Sequence, residues 1–511
     1  MKSVIITGAS VLAIALATPA MAQDNTSNVT QTGTNATATV NQTGADATSD
    51  ILQEADANTA VVNQMGTLGG DSDIVQTGSN NSALVNQDDD GDDTFFSDPN
   101  VPPSSISNIS QGGDFNAANV NQTTQTALNP NVSNIDQGGS FNIANVTQFD
   151  DEQSSLINQS SDNNTANVLQ GVSQVGTDET YNNDSQVYQG GTGSHTANVT
   201  QLSRNGSSFV DQSGEANTAN VLQDIEGNSS STIFQSGASG LANVTQTGGS
   251  EDSTIDQSAF NNVARVTQSG GGNTSSIGQS ADFNEALVEQ TGAGNTSSIL
   301  QSSDAGPGSI FGGGLLIDPN NTGAAGVFQS GDNNSSGVSL DGQSNFAWIN
   351  QSGDSNSSEV FATGVATLAY VNQIGDNNQS NVNQSGTFDN FTFGVSVTQI
   401  GDDNISNLNQ SGNNALADVL QEGNNGLSNI NQGGNFNTAD LYQLGDDNVS
   451  AIEQTGDSNT ADVDQLGNDN MSTILQPGSF NTATVLQTSD GNTSNVNQGG
   501  SNNTATVTQG L

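Results

Sequence analysis

Residues 481–498 read Asn481-Thr482-Ala483-Thr484-Val485-Leu486-Gln487-Thr488-Ser489-Asp490-Gly491-Asn492-Thr493-Ser494-Asn495-Val496-Asn497-Gln498. One pattern stands here twice, N-x-(S/A)-x-(V/I)-x-Q, separated by a short connector. Side chains of a β-strand alternate between its faces, so Asn481, Ala483, Val485 and Gln487 share one face and Thr482, Thr484 and Leu486 the other. A helix, at about 3.6 residues per turn, would scatter the first set around its axis. The connector Thr488–Gly491 carries Asp and Gly, residue types that tolerate the left-handed conformations of a tight turn. The local reading is strand, turn, strand.

Outward from this stretch the pattern continues. Glutamine recurs every 11 residues at Gln399, Gln410, Gln421, Gln432, Gln443, Gln454, Gln465, Gln476, Gln487, Gln498 and Gln509. The same spacing runs through Gln31, Gln42, Gln53 and Gln64, and through Gln246 to Gln301. With a few insertions there are 40 such units between Asn25 and Gln509, and only Leu340 and Ala362 replace the glutamine. The third position alternates Ser and Ala from Ser27 and Ala38 to Ser494 and Ala505, broken once by Val395. The repeat is therefore a pair of strands, 22 residues long and present 20 times.

A strand pair closed by two tight turns is one rung of a solenoid. The predicted fold is all-β: a β-solenoid, or cross-β stack, of about 20 two-stranded rungs, with like residues stacked about 4.8 Å apart. Ser units are expected in one sheet and Ala units in the other. The expected core includes Ala461, Ser472, Ala483, Ser494 and Ala505 with Val463, Ile474, Val485, Val496 and Val507. A buried amide without partners costs a few kcal/mol. Ladders in which each amide donates to the next rung remove that cost. The expected glutamine ladder is Gln432, Gln443, Gln454, Gln465, Gln476, Gln487, Gln498 and Gln509. The asparagine ladder is Asn437, Asn448, Asn459, Asn470, Asn481, Asn492 and Asn503.

Composition narrows the function. The formal charge is −50, cysteine is absent and His195 is the one histidine. So acidic a chain repels nucleic acid and anionic lipid, so neither is an expected partner. Lys2, the apolar run Val4–Ala17 and the small residues Ala20-Met21-Ala22 read as a secretory signal peptide over residues 1–22. Residues 23–511 then form the solenoid, with loop insertions near 88–104 and 302–322. No later apolar run is long enough to span a bilayer.

The second half of each repeat resembles the curlin family, the subunits of curli fibres of Gram-negative bacteria. Curlin repeats read S-x5-Q-x-G-x-x-N-x-A-x3-Q. Gln476, Gly478, Asn481, Ala483 and Gln487 match it, as do Gln498, Asn503, Ala505 and Gln509. In the first strand of a curlin repeat Ser lies six residues before Gln, whereas here that place is usually Asn and Ser lies four before. This chain also carries more repeats than a typical curlin subunit, and the repeats begin almost at the cleavage site. The resemblance implies a homopolymer that forms extracellular amyloid fibres on the cell surface, for biofilm matrix and adhesion. It also implies a nucleator subunit and an outer-membrane secretion pore as partners.

Nothing in the chain clusters as a catalytic site, and neither enzyme activity nor a cofactor is expected. His195 occupies the inward Asn slot, six before Gln201, and reads as a ladder variant. Phe346 and Trp348 are expected on the outer face. Stacked acids such as Asp462 and Asp464 suit a solvated surface more than a calcium site. A non-polymerising adhesin and an ice-binding solenoid, the latter through outward pairs such as Thr482/Thr484, are the alternatives.

Overall fold

Most strands open just after the inward Asn slot and close at or just beyond the glutamine, as in Thr37–Gln42, Thr460–Gln465 and Thr482–Gln487. These limits follow from the turn residues on either side, which break the extended run. The computed structural model describes residues 24–43, 45–66, 69–89, 105–124, 130–171, 182–202, 204–224, 227–302, 323–387 and 394–510. They fall into two units, Met1–Glu251 and Asp252–Leu511. The described residues form forty strands and no helix. No helix among them is long and apolar enough to cross a membrane.

Both units are β-solenoids built of two parallel sheets. Each strand pairs in register with the strand one repeat away, never with its immediate neighbour in sequence. In the first unit Ser27 stands opposite Ser49 and Ala38 opposite Ala60. In the second, Ser472 stands opposite Ser494 and Ala461 opposite Ala483. One sheet carries the serines and the other the alanines, as the alternation predicts.

Insertions leave this register intact. Gln76 pairs with Gln111, and Gln290 with Gln329, across the two long insertions. Asp88 and Asp89 still belong to the strand Ser82–Asp89. Residues 90–104 and 303–322 of the expected loops, and the expected signal peptide over residues 1–22, lie outside the described residues.

The core is thin. Ala461, Ala483, Val463, Ile474 and Val485 are fully buried, and Ser472, Ser494 and Val496 nearly so. Burying each Val or Ile stabilises by about 1.5–3 kcal/mol. Ala505 and Val507 are only half-buried, because the strand Thr504–Gln509 pairs on one side alone, with Thr482–Gln487. Phe346 departs from expectation: it is 5% exposed, set between Ala324 and Leu368 in its sheet. Trp348 is half-buried and stacks on Phe328 at 4.4 Å.

The corners hold the rungs close. A Cβ added to Gly478 would overlap the carbonyl oxygen of Gly500, one rung on, so only glycine allows this approach. Left-handed residues at the corners are often Asn or Asp, such as Asn425, Asp447 and Asp469. Phe115, Phe141, Phe283, Phe436 and Phe480 also adopt positive φ, all at the corner leading from a Ser strand into an Ala strand.

Candidate functional site: the amide ladders

The side chain with the most work in each rung is the glutamine. It ends the strand, points inward, and carries two N–H donors and a carbonyl acceptor. In the Ser sheet Gln432 donates to Gln454, Gln454 to Gln476 and Gln476 to Gln498, all through Nε2–H to Oε1 at 2.8–2.9 Å. In the Ala sheet Gln443, Gln465, Gln487 and Gln509 form the same chain at 2.8–2.9 Å. The second N–H crosses the core. Gln476 donates to the carbonyl of Thr460 at 3.0 Å, Gln498 to that of Thr482 at 3.0 Å and Gln487 to that of Met471 at 3.1 Å. One side chain thus joins successive rungs and also ties the two sheets together.

The first unit repeats this chemistry. Gln31 donates to Gln53, Gln53 to Gln76 and Gln76 to Gln111, at 2.6–2.7 Å. These links all run the same way, from the earlier rung to the later one, so the ladders have a direction. Nearly all of these bonds are between buried groups, the link from Gln487 to Gln509 being part-buried. The net worth of each, about 1 kcal/mol, is small beside the cost of leaving either partner unpaired.

The asparagines take another route. Oδ1 of Asn437 accepts the backbone N–H of Asn459, Asn459 that of Asn481, and Asn481 that of Asn503, at 2.9–3.0 Å, while amide donates to amide at a few rungs, as from Asn492 to Asn470 and Asn356 to Asn334 at 3.1 Å. On the other edge Asn448 accepts from Asn470, and Asn470 from Asn492. The Nδ2 group turns to turn carbonyls, as in Asn437 to Gly434 at 3.0 Å and Asn492 to Ser489 at 2.6 Å. Asparagine is one methylene shorter than glutamine and sits beside the turn, so backbone groups lie nearer than the next amide.

His195 fills one such slot and reproduces the bonding. Its Nδ1 accepts the backbone N–H of Asn217 at 3.2 Å, and its Nε2 lies 2.8 Å from the Gly190 carbonyl. This requires the neutral tautomer with hydrogen on Nε2. Burial pushes the imidazole below its ordinary value, outweighing the bonds to Gly190 and Gly214 and the charge of Asp211.

Among the described residues the Ser-sheet ladder is interrupted. Leu340 and Ala362 stand between Gln301 and Gln384 in the Ser sheet. Gln301 turns its amide to the carbonyl of Gly323 at 2.7 Å. Oε1 of Gln384 is buried with no partner among the described residues. The serine column is also unpaired: the hydroxyls of Ser450, Ser472 and Ser494 have no partner among those residues, while Ser428 donates to Ser406 at 2.9 Å.

Most carboxylates lie outside the core, although Glu251, in an inward slot six before Gln257, is fully buried. In the turns, Asp354 donates its backbone N–H to Asp376 Oδ1, and Asp376 to Asp402, at 2.8–2.9 Å. On the outer face of the Ala sheet Asp418, Asp440 and Asp462 stack on successive rungs. Burial first, then the charges of Asp418 and Asp462, raise the Asp440 carboxyl above the ordinary range. Among the described residues no group of three or more acids or histidines is arranged to hold a metal ion.

The model of the curlin associated repeat matches residues 252–280, 434–467 and 467–500. The chain carries the curlin associated repeat at these three places. The matched segments contain Gln443, Gln454, Gln465, Gln476, Gln487 and Gln498 with Asn437, Asn448, Asn459, Asn470, Asn481 and Asn492, so the curlin repeat coincides with the ladder residues. Among curated proteins, none matches the chain. The curlin-repeat family is structural, which agrees with a site made of hydrogen-bond ladders.

Proposed function

We propose that this chain is a secreted structural subunit that self-assembles into curli-like amyloid fibres on the surface of a Gram-negative bacterium, serving biofilm matrix and adhesion. The observation that supports the reading most is the sameness of the rungs. Gln432, Gln454 and Gln476 make the same bonds in the same direction. A rung is therefore a template for a further rung, whether from the same chain or another copy. Parallel in-register stacking with amide ladders is the arrangement that stabilises cross-β assemblies. A nucleator subunit and an outer-membrane pore are the partners this reading assigns.

The ice-binding alternative is disfavoured by the outer face of the Ala sheet. Thr484 and Thr506 are followed back along the same column by Asp462 and Asp440, so no flat array of threonines extends over it. The fibre reading is tested by diffraction from aligned assemblies of residues 23–511. Reflections near 4.8 Å along the fibre and about 10 Å across it support it. Soluble, monodisperse chains after prolonged incubation contradict it.

A further inference from the structure

The outer face of the Ser sheet in the second unit differs from the acidic faces around it. Three successive rungs there read Asn381-Val382-Asn383, Asn407-Leu408-Asn409 and Asn429-Ile430-Asn431. Register places the six asparagines in two columns, Asn381–Asn407–Asn429 and Asn383–Asn409–Asn431. Between the columns runs a groove of about 500 Å³, continued by Ala451 and Thr473 on one side and Glu453 and Leu475 on the other. Five rungs contribute, a length of roughly 19 Å at the usual strand spacing.

The amides in these columns are already ordered. Asn407 donates to Asn429 at 3.0 Å and Asn409 to Asn431 at 2.9 Å. An amide has two N–H donors and a carbonyl with two lone pairs. After the column bond Asn407 and Asn409 each keep an N–H, and Asn429 and Asn431 each keep a lone pair. Donors and acceptors therefore line both walls of a straight channel, fixed in place before any ligand arrives.

We infer that this groove binds a neutral, extended, unbranched polysaccharide strand, a β-linked hexose chain lying along the solenoid axis. A hydroxyl both donates and accepts, so it satisfies a free N–H and a free carbonyl lone pair alike. The lining holds one charge, Glu453, on a chain whose formal charge is −50. An anionic glycan would be repelled by the surrounding carboxylates, and a cationic ligand would be drawn to them rather than to amides. The floor, formed by stacked strands, runs along the stacking direction and matches an extended chain. This binding does not depend on polymerisation, because the groove is complete within one chain.

The test titrates the full mature chain, freshly released from denaturant, with a β-1,4-linked glucose hexamer and separately with its glucuronate counterpart. The variant Asn407→Ala/Asn409→Leu/Asn429→Ala/Asn431→Leu borrows the residues that Ala451 and Leu475 already place in these columns, so the strands are retained. Circular dichroism and the denaturation midpoint check its folding, and Thr484→Ala/Thr506→Ala on the opposite sheet is the control. The expected result is binding of the glucose hexamer that is insensitive to salt, weakened about tenfold or more in the groove variant and unchanged in the control. No binding by the parent chain, equal binding by the groove variant, or tighter and salt-sensitive binding of the glucuronate hexamer would overturn the proposal. So would a parent chain that ignores the hexamer yet loses self-association in the groove variant, since the face would then be a contact between copies.

Discussion

Ala362 lies directly beside Gln384 in the Ser sheet, one rung earlier, and leaves Oε1 of Gln384 buried without a donor. In the rungs that follow, a donor is in place, as Gln410 receives from Gln384 and Gln432 from Gln410. The interruption is a local fault in an otherwise continuous device.

Repairing it should stabilise the protein. Ala362→Gln restores a donor to Gln384, and Leu340→Gln added to it reconnects Gln301. Each restored bond between buried amides is expected to add about 1 kcal/mol. Urea denaturation of the single and double variants checks this. A midpoint that falls would mean the slot has no room for the longer side chain.

The serine column makes the opposite kind of prediction. The hydroxyl of Ser472 is buried and unpaired, between Ser450 and Ser494 in the same state. Ser472→Ala removes a desolvated hydroxyl and should be neutral or stabilising by about 1 kcal/mol. A loss of stability of that size would show that the hydroxyl has a partner.

His195 gives a pH dependence of one sign. Its buried imidazole takes up a proton less readily than in the unfolded chain. Its stabilising contribution is therefore complete above about pH 6.5 and is lost as pH falls below that value. His195→Asn, which restores the common ladder residue, should abolish this part of the acid loss. Midpoints of the two proteins at about pH 7.5 and about pH 5.5 make the comparison.

Asp440 gives the other sign. Its carboxyl is held above the ordinary value, so the folded state binds more protons than the unfolded one. Repulsion in the stack of Asp418, Asp440 and Asp462 is present at neutral pH and relieved as pH falls through the folded value towards about 3.9. Asp440→Asn should raise stability at neutral pH by about 0.5 kcal/mol, a small effect because the group is partly solvated. That gain should vanish in acid. A constant gain at all pH values would assign it to something other than charge.

The strands and their pairing were legible because a β-strand shows its two faces as alternation and a stacked rung shows itself as a fixed period. Ser472 and Ala483 fall in separate sheets for that reason. The bonds of the amides were less legible. That Gln476 would reach Gln498 follows from the period, but its bond across the core to Thr460 depends on how closely the sheets approach. Asn481 looks equivalent to Gln487 in the pattern, and one missing methylene sends its carbonyl to the backbone of Asn503 instead. Phe346 sits in an outward slot and is nonetheless buried, since slot parity fixes direction and not what covers the side chain. The left-handed Phe436 and Phe480 carry no signal in the sequence, as phenylalanine is not a usual corner residue.

The central claim is that a rung of one copy templates a rung of the next. Seeded growth measures this directly: monomeric residues 23–511, freshly desalted from denaturant, are followed with and without sonicated fragments of aged material. The account predicts that fragments abolish the lag and that electron microscopy shows unbranched filaments extending from them. A lag unchanged by fragments, with single particles that never lengthen, would contradict it.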